Sequence, residues 1–274
     1  MEIPLFPLAT VLCPGGLLPL HVFEERYRSL VARCLATGAP FGVVLLYRGS
    51  AVEEGAVPLA PDALAPHALA PHALAPVGTL AAIRDVTRLP DGRMDLLAVG
   101  TARFRLHDVE AGREPYLVGR VTLLDEPVGD PQVAHRLARE AGRHFREYLD
   151  LRQVGQRARE GRLGVLSADS PAAARSAGAT ADLPGTAEPS RSTGSSTSTD
   201  RTAAIDALDP TALGHLLSGL VIVDLATRQA LLEAPTTELR LRSLDRLLRR
   251  EIELLGRGLL PLVVGRASDR SRAN

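Results

Sequence analysis

Residues 5–27 read LFPLATVLCPGGLLPLHVFEERY, and the fold turns on how this stretch is read. It opens as an apolar run broken by Pro4, Pro7 and Pro14. Each proline removes a backbone donor, so a central strand is disfavoured and a strand at a sheet edge or barrel seam is expected. Pro14-Gly15-Gly16 turns the chain, and a second apolar run, Leu17 to Val22, leads into Phe23-Glu24-Glu25-Arg26-Tyr27, a helix start. The stretch holds no metal cluster or phosphate loop. It is architecture.

Working outward, Phe23, Tyr27, Leu30, Val31, Cys34 and Leu35 fall on one stripe at the 3.6-residue period, predicting a helix over 24–37. Glu24 and Glu25 suit its first turn, and Gly38 supplies its stop. Phe41 to Tyr47, FGVVLLY, predicts a strand buried on both faces. Pro61 to Ala75 repeats as PDALA-PHALA-PHALA, which forbids helix and ladder alike and reads as a lengthened surface loop over 60–76. Its His67 and His72 are too sparsely spaced for a metal site. Strands follow at 77–86, 94–99 and 116–124, with Phe104, Leu106 and Val109 alternating with Arg103, Arg105 and Asp108. Residues 1–126 are therefore expected to be mainly β, with one helix, in a small, partly closed barrel.

From Asp130 the period becomes helical. Val133, Leu137, Ala141, Phe145, Tyr148 and Leu149 mark one face, and Arg136, Arg139, Arg143 and Arg146 form a basic stripe on the other. The helical part is assigned to 130–152 and 205–258. Residues 153–204, with RSTGSSTSTD at their core, read as a disordered linker, and 259–274 as a tail. Leu241, Leu244, Leu248, Ile252 and Leu255 lie near a heptad seam, which fits intramolecular core or self-association. The fold class is α+β, a β barrel followed by a helical bundle.

Composition narrows the chemistry. The 274 residues carry 32 basic and 32 acidic side chains, a net charge of zero that argues against a dedicated nucleic-acid binder. Every basic side chain is Arg. No run of about 18 apolar residues is present, so no transmembrane helix is expected. The start lacks the basic and apolar regions of a signal peptide, and two cysteines are too few for a disulfide framework, which together point to the cytoplasm.

P-L-F-P-L from Pro4, V-L-x-P-G from Val11 and P-L-H-V-F-E-x-R-Y from Pro19 resemble the opening of the Lon protease substrate-binding (N-terminal) domain. VGTLAAI, DGRMDLLAVGTARFRL and PYLVGRV continue the resemblance in order, as does D-x-x-x-R-Q-A-L-L-E-A from Asp224. The resemblance implies a PUA-like pseudo-barrel and a recognition role towards polypeptide clients or a protease partner. In Lon that domain precedes an ATPase and a serine–lysine peptidase. A chain without Lys can form neither the phosphate-gripping Walker loop nor the Ser-Lys pair. No catalytic residue, metal or cofactor is therefore expected. The signature residues Pro14, Gly15, His21, Phe23, Glu24, Arg26 and Tyr27 are the candidate binding positions. RNA binding through Arg136, Arg139, Arg143 and Arg146 is the alternative, and a hydrolase built on Cys13 and His21 a third reading.

Overall fold

The computed structural model describes residues 1–47, 74–168 and 208–257, and of 155–168 the backbone alone. The repeat up to residue 73, the linker beyond 168 and the tail lie outside the described residues; the repeat's end is not a surface loop, since Leu74 and Ala75 are buried and Leu74 bridges Leu46.

Strand β1 (Glu2–Leu8) is where the sheet is joined. Residues 2–5 pair antiparallel with β6 (Leu117–Leu123), and residues 5–8 pair parallel with β3 (Phe41–Leu45). Of the two places its prolines allowed, sheet edge or barrel seam, β1 takes the seam, where one ladder hands over to another. The Val121 N–H donates to the Met1 carbonyl and the Leu46 N–H to that of Leu8. Odd residues of β1 consequently face β6 and even ones face β3. Pro7 points towards β6 past the end of that ladder, and Pro4 towards β3 ahead of its start, so neither removes a bond.

The remaining strands are β2 (Leu17–Val22), β4 (Val77–Arg88) and β5 (Met94–Glu110), in the order β2-β5-β4-β3-β1-β6. β5 closes the barrel. Its first part pairs with β2 and β4, its end pairs with β6, and register shifts at Thr79/Ala81 in β4 and Leu106/Asp108 in β5 accompany the bend. Among the described residues β2 pairs with β5 alone and stands at an edge.

Helix α1 (Glu25–Thr37) plugs the barrel with Tyr27, Leu30, Val31 and Cys34, and Tyr27 stacks on Phe6 at 4.0 Å. Gly38 ends it at φ 68°, as its position in the sequence predicted. Helices α2 (Pro131–Ala168), α3 (Pro210–Leu220), α4 (Leu225–Glu233) and α5 (Thr237–Gly256) form the second layer. Asp209, Asp224 and Thr236 cap the last three through their side chains. Leu241, Leu244 and Leu248 of α5 are fully buried against Ala141, Phe145 and Tyr148 of α2 and Leu213 and Leu217 of α3. Those three seam residues are consumed within the chain, while Ile252 and Leu255 further along it are partly buried.

α2 runs on to Ala168 where a linker was expected from 153. Gln153 to Ser167 contains no proline, and its Arg, Gln, Leu and Glu residues are helix formers set against Gly155, Gly161 and Gly164. Reading composition over the whole of 153–204 let the Ser/Thr-rich end outweigh this beginning.

The link from barrel to edge strand is tightly fitted. The Gly16 N–H donates to the Cys13 carbonyl with Gly15 at φ 77°, a type II turn centred on Pro14-Gly15. Gly15 then donates to Gly100 and Gly100 to Gly16, forming a bulge opposite Gly100. A Cβ on Gly100 would lie 2.4 Å from the Cys13 carbonyl oxygen, which is backbone and cannot yield. Gly100→Ala is expected to cost about 2 kcal/mol. Gly142→Ala in α2, where a Cβ meets nothing within 4 Å, should gain about 0.5–1 kcal/mol. Urea denaturation of both variants checks this, and equal effects would refute the close fit.

Candidate binding surface

The free edge presents a defined pattern. Because Gly100 donates to Gly16, the even residues of β2 bond to β5 and the odd residues turn their backbone outward. Leu17 and His21 therefore offer an outward N–H and C=O each, while Pro19, between them, offers only its carbonyl. The proline costs the sheet nothing here and blunts the edge against indiscriminate strand pairing.

The side chains of the same residues stand on one face. Leu17 is 66% exposed and lies across from Val99; Pro19 lies across from Leu97, itself 36% exposed. Phe23, just past the strand, is 60% exposed with its ring 6.3 Å from that of His21. Pro19, Leu97, Asp85 and Thr87 line a shallow depression of about 430 Å³. Its polar lining includes His21, whose Nδ1 lies 2.7 Å from Asp95 Oδ1. An apolar strip with a polar rim is the form of a surface that meets another polypeptide.

A second polar group lies where barrel and helices meet. Arg103 of β5, 2% exposed, holds Glu126 at 2.5 Å through Nε and 3.0 Å through Nη2. Its Nη1 donates to the Leu232 and Ala234 carbonyls at the end of α4. Arg240 of α5, fully buried, donates to the Leu231 and Ala234 carbonyls and reaches Glu126 at 3.4 Å. His215 of α3 brings Nε2 to 3.1 Å from Glu126 Oε1, a polar contact outside hydrogen-bond angles, and its Nδ1 has no partner.

Burial alone would raise the Glu126 carboxyl; His215 and Arg103 beside it prevail and hold it down to about 2. Burial lowers the Arg240 guanidinium to about 10, with Arg103 adding repulsion. Burial, reinforced by the two arginines, also lowers His215, so its imidazole stays neutral near pH 7. Reading Arg103 as one of the outward polar residues of an alternating strand is thus overturned. Nothing local in the sequence marks it, because its partners come from β6's exit, α3, α4 and α5.

The signature residues are dispersed. Pro14 and Gly15 form the turn and border a cavity beside the Arg103 cluster. His21 and Phe23 belong to the exposed edge. Tyr27 is buried core, and Glu24 and Arg26 pair with each other beside it, with the Arg26 guanidinium 4.6 Å from the Tyr27 ring centre. Of the basic stripe, Arg136, Arg139 and Arg143 are exposed and Arg146 is half-buried. Cys13 is buried at the Gly100 end of β2, where burial pushes its thiol up to about 11, and His21 sits at the Asp95 end. The two are not brought together as nucleophile and base. Among the described residues no group of three His, Cys, Asp or Glu side chains is placed to hold a metal ion, and no helix is long and apolar enough to cross a membrane.

This arrangement, a seam-joined barrel plugged by one helix and backed by a bundle, is that of a recognition domain found in energy-dependent proteases. Residues 2–250 match the ATP-dependent protease La (LON) substrate-binding domain, and the chain belongs to that family. Similar curated relatives include the Lon protease of Porphyromonas gingivalis, 32% identical over 46% of this chain and 13% of that protein, and that of Brucella suis, 33% identical over 52% of this chain and 15% of that protein. The chain thus spans a small fraction of these relatives. The N-terminal domain of Mycobacterium avium complex Lon protease shares the fold, with a TM-score of 0.53 at 16% identity, covering 91% of this chain and 98% of that one.

The junction makes a pH-dependent prediction. Glu126→Gln leaves two buried guanidiniums without their counter-charge and should cost about 3 kcal/mol at pH 7. Because the folded-state pKa of about 2 lies below the ordinary 4.5, the wild-type advantage is complete above pH 4.5 and lost as pH falls through 2. Denaturant melts of both proteins across that range should converge at the acid end, and a pH-independent gap would contradict the assignment.

Proposed function

We propose that this domain is a non-catalytic module that holds extended, apolar stretches of polypeptide against the face made by β2 and β5, for a protease partner to which the Lon relatives point. The single observation carrying the reading is the exposed strip of Leu17, Phe23 and Leu97 beside a free but proline-interrupted edge. A client strand laid along β2 meets outward N–H and C=O groups at Leu17 and His21 and sets its own apolar side chains on the strip. The gap at Pro19 tolerates many sequences, since it demands no donor-acceptor register there.

Magnitudes agree with a transient grip. Burying three such side chains supplies about 1.5–3 kcal/mol each, and two or three edge hydrogen bonds about 1 kcal/mol each. Association and ordering costs consume much of that, leaving affinities of roughly micromolar or weaker. A module that hands clients onward needs a grip of this strength.

Leu17→Asp and Leu97→Asp, each at an exposed position, should weaken binding of a fluorescently labelled, permanently unfolded client by about tenfold each with unchanged melting temperature. Fluorescence anisotropy reads the affinity. Wild-type binding by both variants would sink the proposal.

A further inference from the structure

Beyond the barrel, β2, the first part of β5 and residues 82–88 of β4 make a three-stranded wing whose outer face changes character along its length. The register sets three rows on that face: Leu17, Val99 and Ala82; then Pro19, Leu97 and Asp85; then His21, Asp95 and Thr87. The first row is apolar throughout and the last is polar throughout. Over the last two rows lies the shallow depression of about 430 Å³. The charged groups in its lining are two carboxylates, Asp85 and Asp95, and no arginine lines it.

Those carboxylates belong together. Asp85 lies directly across from Leu97 and Asp95 directly across from Thr87, so the two are diagonal neighbours, close enough for one long side chain to meet both. Asp85 Oδ1 accepts from the Val86 N–H and Asp95 Oδ1 meets His21 Nδ1, while among the described residues both Oδ2 atoms are without a partner. Arg93 does not supply the missing charge, because Asp91 holds it at 2.6 Å. Nor does Arg88, which lies across from Met94 and so on the opposite face. The side chain of Asp95 is 58% exposed and open to whatever docks.

Two carboxylates on an apolar bed with no cation of their own favour an occupant that brings one. Distance then selects its length. A strand added outside β2 stands two strand spacings, about 10 Å, from β5. Arg and Lys are the side chains that carry a positive charge so far, and their methylene stems can lie over Pro19 and Leu97 on the way.

We propose that this end of the wing is a charge-selective subsite, which takes an Arg or Lys side chain of a bound polypeptide between Asp85 and Asp95. It rests on the polypeptide-binding reading and narrows the client class to extended apolar stretches that carry a basic residue. Side chains two or four residues apart along a strand fall on one face, so the basic residue stands at that spacing from the apolar one resting on Leu17. Exposed ion pairs are individually weak, and two carboxylates around one cation amount to about fivefold to tenfold in affinity at low salt.

The test reads fluorescence anisotropy of end-labelled peptides titrated with the full chain. The peptides alternate Leu and Thr, with one Leu replaced by Arg, by its uncharged isostere citrulline, or by Glu. At about 20 mM salt the Arg peptide should bind about fivefold to tenfold more tightly than the citrulline peptide, and at about 0.5 M salt the difference should fall below about twofold. The Glu peptide should bind more weakly than either. Asp85→Asn combined with Asp95→Asn should erase the preference, and Asp85→Arg combined with Asp95→Arg should reverse it in favour of Glu, with melting temperatures unchanged. Asp91→Asn should leave it intact. Equal affinity for the Arg and citrulline peptides, or an Arg preference that survives the paired Asn variant, overturns the proposal. Leu17→Thr separates the two readings. Charge-blind binding that is lost in Leu17→Thr removes the subsite alone. An Arg preference that needs both aspartates yet is indifferent to Leu17→Thr and Leu97→Thr removes the edge reading alone, and failure of every peptide to bind removes both.

Discussion

Two guanidiniums and one carboxylate, buried where the barrel meets the helices, hold the two layers in one arrangement. Arg103 reaches out of β5, Glu126 follows the exit of β6, and Arg240 comes from α5. Between them they take up the carbonyls of Leu231, Leu232 and Ala234, which the end of α4 leaves without helical partners. Replacing such a cluster with hydrocarbon often costs a protein nothing, but removing one member strands the others in a medium that cannot solvate them. Its value is in specificity. Only one docking of bundle on barrel brings all these atoms within reach.

That docking also shapes the surfaces offered to partners. With α3 held against β5, a cavity remains beside the Pro14-Gly15 turn. On the barrel's other flank β5 has a second duty, since its first part carries β2 and its last part closes onto β6. A strand used twice in this way leaves β2 with one neighbour and one open side. Among the described residues β2 and the far half of β4, residues 82–88, are the stretches paired on one side.

Much of this was legible. The helix stripe from Tyr27 to Cys34, the Gly38 stop and the all-buried FGVVL strand are all consequences of short-range periodicity and terminal chemistry. The candidate site was legible in part. His21 and Phe23 do stand on the exposed edge, while Tyr27 from the same motif is core, because α1 rotates it towards Phe6. Arg103 was misread as an outward residue because strand alternation assigns a side and knows nothing of what covers it. Proline placement left edge and seam open, and only the pairing chose the seam. Pro4 and Pro7 forbid a bond only where a ladder needs one, and the change of partner at Leu5 leaves both nitrogens where none does.

The sequence by itself determined most element types, the turn at Pro14-Gly15 and the membership of the family. Those properties depend on residues close together. The tertiary structure alone decided that β2 stands at an open edge, that Leu17 and Leu97 share a face, and that His215 faces Glu126 with an unpaired nitrogen. Each of these pairs residues far apart in the chain, and such pairings exist only once the barrel has closed and the bundle has docked.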